Sequence, residues 1–169
     1  MINQLREAFP QIEENCLTVI TDKHAFIFED PKLKKGVFVD AKEKYHFHVE
    51  NNTKSPYNFI QNDDCVMKSI KGGQCDYVIF NDHCIYFTEI KATNENLSIR
   101  RTKGIKQLEN TIKFYLKKID FINLESKNAI ICFDNHKRIA PQASVSSKRK
   151  EFKIKYQIDL HEGNYISFD

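Results

Sequence analysis

The sequence predicts an α/β fold with a central mixed β-sheet flanked by helices. Three observations carry that expectation. Short apolar runs at strand period fill the first half of the chain, one long segment at helical period follows, and a continuous apolar run then returns. With 169 residues the chain is long enough for one compact core and too short for two comfortable ones, so residues 1–169 are expected to form a single domain.

The opening residues read as a helix, because Leu5, Phe9 and Ile12 recur at spacings of four and three, with Pro10 disturbing the pattern. Strand-like runs come next at "CLTVITD", "AFIFED", "GVFVDA" and "KYHFHVEN". In the last run Tyr45, Phe47 and Val49 alternate with His46, His48 and Glu50, as in a half-buried strand. His46 and His48 form an H-x-H that an exposed strand face explains better than a metal ligand pair, since nothing nearby completes a coordination shell. "NNTKSPYN" is a loop by composition, and "FIQNDDCVMKSI" resumes with strand character. The acids of "DDC", Asp63 and Asp64, suit a solvated turn, although they stand close enough to the next hairpin to bring it another carboxylate.

"KGGQ" turns the chain into "QCDYVIFNDHCIYFTEIKA", a hairpin of Asp76–Phe80 with Cys84–Ala92, for which Asn81 and Asp82 form the turn. The clearest helix follows at about Thr102 to Ile119, where Ile105, Leu108, Ile112, Tyr115, Leu116 and Ile119 make one apolar stripe. Lys103, Lys106, Lys113 and Lys117 lie opposite that stripe, and Gln107 falls at its edge. "NAIICFD" reads as a buried strand. Phe152, Ile154, Tyr156 and Ile158 alternate in the tail and predict one added strand.

Composition excludes more than it selects. No apolar run approaches the ~18 residues of a membrane span, and the start lacks a basic-then-apolar leader, so a cytoplasmic, membrane-free protein is expected. The five cysteines (Cys16, Cys65, Cys75, Cys84 and Cys132) are then expected to be buried free thiols, and no C-x-x-C supports a zinc site. No Walker A, dinucleotide, serine-hydrolase or zinc-protease motif occurs. The net charge of +3 is small, but two segments are strongly basic. Arg100, Arg101, Lys103, Lys106, Lys113, Lys117 and Lys118 face only Glu109; Lys137, Arg138, Lys148, Arg149, Lys150, Lys153 and Lys155 face only Glu151. Such stripes fit a polyanionic partner or a solubilising surface.

The hairpin carries the chemistry. Alternate residues of a strand share a face, so Ile85, Phe87, Glu89 and Lys91 point one way, as do Asp76, Val78 and Phe80 on the partner strand. An apolar face that ends in an acid and a lysine is explained by a Glu89–Lys91 ion pair or a solvated strand end. Neither explanation requires Asp76. Two carboxylates converging from adjacent strands make a hard oxygen site suited to Mg²⁺ or Mn²⁺, which polarises a phosphoryl oxygen and acidifies a bound water.

"CDYVIF…YFTEIKA" resembles the D…(D/E)-x-K core of the PD-(D/E)xK nuclease superfamily, with a hairpin, about a dozen residues between acid and E-x-K, and a basic helix carrying Q-L. The resemblance spans Lys71 to Leu116; Cys75 stands where many members have proline. It implies a restriction-endonuclease-like core in which Asp76, Glu89 and the Ile90 carbonyl hold Mg²⁺ or Mn²⁺. Lys91 would act on the attacking water, and Gln107 would contact the site. An acid from the N-terminal helix, Glu13 or Glu14, would join it. Arg100, Arg101, Lys103 and Lys106 would hold phosphates of a nucleic acid, DNA by the habit of the superfamily, and a homodimer would let paired sites cut both strands. A catalytically inactive nucleic-acid-binding module, or a protein-interaction domain on the same fold, remains the alternative.

Overall fold

The computed structural model describes residues 1–169 except 15, 34, 54, 64, 69–71, 93–94 and 134–142, and at 14 and 143–145 the backbone alone. Asp64, Lys71, Asp134, Lys137, Arg138 and the side chain of Glu14 therefore lie outside the described residues. Helix α1 (Ile2–Ala8) ends before Pro10, which has no N–H to donate, and a 3-10 turn (Pro10–Glu14) continues it. Leu5, Phe9 and Ile12 are buried along this unit.

Among the described residues, ten strands and two further helices follow: β1 (Leu17–Ile20), β2 (His24–Asp30), β3 (Lys35–Val39), β4 (Phe47–Asn51), β5 (Tyr57–Gln61), β6 (Tyr77–Phe80), β7 (Cys84–Lys91), α2 (Leu97–Leu116), β8 (Ser126–Phe133), α3 (Ala143–Tyr156), β9 (Asp159–Glu162) and β10 (Tyr165–Phe168). One mixed sheet has the order β1-β5-β6-β7-β8-β9, antiparallel up to β7 and parallel from there. A second mixed sheet has the order β10-β4-β2-β3. The fold is thus mixed α/β, with one departure from the expected layering. Helices pack on one face of the six-stranded sheet, and the four-stranded sheet covers the other.

The two faces of β7 show how the sequence feeds both layers. Ile85 and Phe87 enter the core beneath the helices with Leu108, Ile112, Tyr115 and Phe152. Tyr86 and Ile90 turn the other way, among Ile27, Phe47, Ile79, Ile130 and Phe168 between the sheets. Helix α2 starts earlier and ends sooner than its apolar stripe predicts, and Leu116 is exposed while the rest of the stripe is buried.

The tail is corrected. Most of the residues expected as a strand, Phe152 to Tyr156, form the end of α3, and the strands β9 and β10 come after it. Phe152 and Tyr156 satisfy a spacing of four as well as one of two, and their rings meet at 5.6 Å. Glu151 bonds Lys148 and Lys155, both at 2.6 Å, on the same helix. Ile154, which strand alternation would bury, is 82% exposed. Similarly, strand character after β5 stops at Gln61, and residues 62–68 form turns where they are described.

The cysteines are also corrected. Cys16 and Cys65 form a disulfide, and Cys75, Cys84 and Cys132 are free thiols. Antiparallel pairing of β1 with β5 places Leu17 opposite Ile60, and Gln61 N donates to Cys16 O at 2.9 Å. Cys16 and Cys65 flank that ladder, so their Cα atoms come within 6.1 Å. No described helix is long and apolar enough to cross a membrane. Reduction, or Cys65→Ser, is expected to lower unfolding stability by about 2–4 kcal/mol, given the 49-residue separation. Denaturant midpoints with and without dithiothreitol would check it.

Candidate active site

Asn81 fixes the register of the central hairpin. Its side-chain carbonyl accepts from His83 N at 2.9 Å and Cys84 N at 2.8 Å, and Asn81 N closes the turn on Cys84 O at 3.0 Å. Tyr77 then pairs with Thr88, and one step further along the ladder brings Asp76 beside Glu89. Asp76 does not hang free at the strand start. Its Oδ2 accepts from Ile90 N at 2.6 Å, which turns the carboxylate toward β7. Asn62, fully buried, holds the same segment in place. It donates to Cys75 O at 2.8 Å, accepts from Tyr115 OH at 2.9 Å, and its backbone N donates to Asp76 O at 2.8 Å.

Glu89 is more deeply placed than the sequence implied. The rim of the apolar face was expected, but Glu89 is 0% exposed, beneath α2. Gly104 is the point of α2 that lies over Glu89, where an added Cβ would make ordinary contact, 3.4 Å from Glu89 Cγ and 3.6 Å from two Ile131 carbons. Gln107, on the same face one turn later, reaches the site as expected. Lys91 Nζ donates to Glu89 Oε1 and, at 2.9 Å, to Gln107 Oε1. Gln107 Nε2 donates in turn to Gln74 O at 2.8 Å. Asp76, Glu89, Lys91 and Gln107, drawn from two strands and a helix, thus belong to one cluster.

The electrostatics of this cluster are under tension. Burial pushes the Asp76 carboxyl well above its ordinary range, and the neighbouring Glu89 adds to the rise against the Ile90 N–H. Burial raises Glu89 to about 7 despite the attraction of Lys91. Glu89 Oε2 is buried with no hydrogen-bond partner, an arrangement that costs on the order of 1–3 kcal/mol or more for a charged group. The donor set fits a hard divalent cation: two adjacent carboxylates, one with an orphaned oxygen. Among the described residues no three His, Cys, Asp or Glu side chains are gathered into a metal-holding group. The remaining ligands would be water, backbone carbonyl or substrate oxygen, as is usual for Mg²⁺.

One neighbour, Glu29, escaped sequence reasoning, and another, Asp63, was expected there as a further carboxylate near the hairpin. Glu29 on β2 accepts a hydrogen bond from Tyr77 OH, and burial raises its carboxyl. With Asp63, Asp76 and Lys35 it lines a cavity of about 120 Å³ beside the hairpin. Nothing in the local sequence around Glu29 signals this, because β2 reaches the site through the second sheet. Asp63 is an exposed turn residue bonded by Gln74 Nε2, yet it faces the same cavity as Asp76. Glu13 is directed elsewhere, to Arg6 Nε at 2.5 Å.

The proposed phosphate-holding cations separate into two groups. Lys103 and Lys106 are exposed on the outer face of α2, and half-buried Arg100 donates to Glu95 O at 2.9 Å. Arg101 is corrected: it is 3% exposed and packed inward. Its Nε and Nη2 reach the two Glu162 oxygens at 2.5 and 3.2 Å, with the guanidinium 5.5 Å from the centre of the Phe133 ring. The expected helix began one residue later, at about Thr102; α2 instead takes in Arg101, and Glu162 of β9 pairs with it.

Comparison with family models, with curated proteins and with solved structures returned no match. Function therefore rests on this cluster.

Proposed function

We propose that this chain is a metal-dependent nuclease that hydrolyses phosphodiester bonds in nucleic acid, with DNA as the substrate and a restriction-endonuclease-like core as its scaffold. The observation that carries the reading is the buried Asp76–Glu89 pair with its unpartnered Glu89 oxygen. A structural ion pair accounts for Glu89 and Lys91 but leaves a second desolvated acid without purpose. Asp76, Glu89 and the Ile90 carbonyl would hold Mg²⁺ or Mn²⁺, which supplies Lewis-acid polarisation of a phosphoryl oxygen and an acidified water.

Each protein group then has a task that follows from its place. The Ile90 N–H keeps Asp76 turned toward Glu89. Gln107 holds the Lys91 ammonium at the mouth of the pair, where it orients the attacking water and offsets charge on the phosphate. Lys103, Lys106 and Arg100 hold flanking phosphates, and contacts of that kind position the strand without reading its sequence. Arg101 instead supports the helix that carries Gln107.

Cleavage of duplex DNA, single-stranded DNA and RNA in Mg²⁺, Mn²⁺ or EDTA tests the reading. Wild type is expected to cut only with a divalent cation. Asp76→Asn, Glu89→Ala and Lys91→Ala are each expected to lose at least about 100-fold in rate. Equal cleavage by wild type and all three variants would sink the site. One observation favours a second reading, a nucleic-acid-binding domain without turnover: Lys91 is closed directly onto Glu89. That domain would show salt-sensitive binding and no metal-dependent cutting.

A further inference from the structure

The H-x-H of β4 is divided by the fold. His46 is 4% exposed, accepts from Glu29 N at 2.9 Å and stacks on Phe28, so it is committed to the protein. His48 lies one cross-strand pair further along the same face and is less buried. Its Nε2 lies 3.2 Å from His24 Nδ1 of β2, with the Phe26 ring stacked on it at 4.5 Å. Ala25 and Ile27 fill the core between the sheets, so His24 and Phe26 occupy the outer face of the four-stranded sheet. On that face the antiparallel register sets His24 directly opposite Glu50 and Phe26 opposite His48.

We propose that His24, His48 and Glu50 form a zinc site on this outer face, separate from the hairpin cluster. Two nitrogens ligating one tetrahedral Zn²⁺ at ~2.0–2.1 Å stand about 3.3 Å apart, close to the spacing found between the two imidazoles. That pair binds through Nδ1 of His24 and Nε2 of His48, each ring keeping its proton on the other nitrogen. Glu50 provides the third donor from the directly cross-strand position, where side chains meet. Its Oε2 is held by Tyr165 OH at 2.5 Å, the kind of support that orients a ligating carboxylate. Its Oε1 has Lys23 Nζ at 4.0 Å, a contact that ligation replaces. The three donors are not yet gathered on one point, so Glu50 closes by rotation when the metal binds, and water completes the shell. Imidazole with carboxylate selects a borderline metal over Mg²⁺. The ion would clamp β2 to β4.

Zinc titration of full-length, tag-free, chelator-treated protein against a chromophoric chelator tests this, with Co²⁺ absorption reporting tetrahedral geometry. Wild type is expected to bind one equivalent that excess Mg²⁺ leaves in place. His24→Ala and His48→Ala should each weaken that equivalent at least about 100-fold, and Tyr165→Phe about 10-fold. His24→Gln, which keeps a polar partner for His48, should lose it as well, with an unchanged melting temperature in EDTA. Zinc should raise the melting temperature of wild type and not of the histidine variants. Unchanged zinc affinity in the histidine variants, or no zinc bound by wild type, overturns the site. Neither result bears on DNA cleavage.

Discussion

Raising the pH from 5.5 to 8.5 in EDTA is expected to lower the unfolding free energy by on the order of 2 kcal/mol, and millimolar Mg²⁺ is expected to return much of it. The sign follows from Glu89. Burial lifts its folded pKa to about 7 from an ordinary 4.5, so between those values the folded protein holds a proton that the unfolded chain has released. Stability therefore falls as pH rises through this window and levels off above it. The full displacement of about 2.5 pKa units corresponds to roughly 3 kcal/mol, and the ~1.5 units lying above pH 5.5 to about 2 kcal/mol. Asp76, raised well above its ordinary range by burial and by Glu89, acts in the same direction. A cation between the two carboxylates binds their ionised forms, so the Mg²⁺-dependent rise in melting temperature should be larger at pH 8.5 than at 5.5. Asp76→Asn keeps an acceptor for Ile90 N and removes one acid, so it should reduce the pH dependence to the share of Glu89 and abolish the Mg²⁺ effect. A stability profile that is flat with pH and indifferent to Mg²⁺ would refute the charged pair.

Arg101→Ala is expected to destabilise the protein by about 3–5 kcal/mol, because it leaves Glu162 beside a buried space with no counter-charge. The side chains of Arg101 and Glu162 are 4% and 16% exposed, so solvent screens little of the interaction. Chemical denaturation of Arg101→Ala, and of the double variant Arg101→Met/Glu162→Leu, would measure it. The double variant should recover most of the loss, since the charges leave together. Lys103→Ala and Lys106→Ala should shift stability by no more than about 0.5 kcal/mol. Each should instead lower the salt dependence of DNA binding by about one unit of slope. A stable Arg101→Ala with weakened DNA binding would restore Arg101 to the phosphate-holding group.

Much of the candidate site was legible because its logic is local. Strand period places Glu89 and Lys91 on one face, Asn81 marks the turn that sets their partner strand, and helical period puts Gln107 at the edge of α2. These patterns are properties of adjacent residues, and they recur in the hydrogen bonds of Lys91 with Glu89 and Gln107. The helix α3 was misread for a related reason: the spacing of Phe152 and Tyr156 satisfies both periods, and only packing chooses between them. Tyr156 OH bonds Glu109 of α2 at 2.7 Å, a contact the helix allows.

What sequence alone determined was thus the alternation of elements and the chemistry held within one hairpin and its following helix. Tertiary structure decided which distant segments reach that hairpin. Tyr77 meets Glu29 across 48 positions, and Arg101 meets Glu162 across 61. Cys16 meets Cys65 across 49, and His24 meets His48 across 24. Such contacts depend on strand order and sheet stacking, which local period does not encode. Burial depth belongs with them. Composition made Glu89 an acid at the end of an apolar stripe, and the close approach of α2 at Gly104 made it a desolvated one.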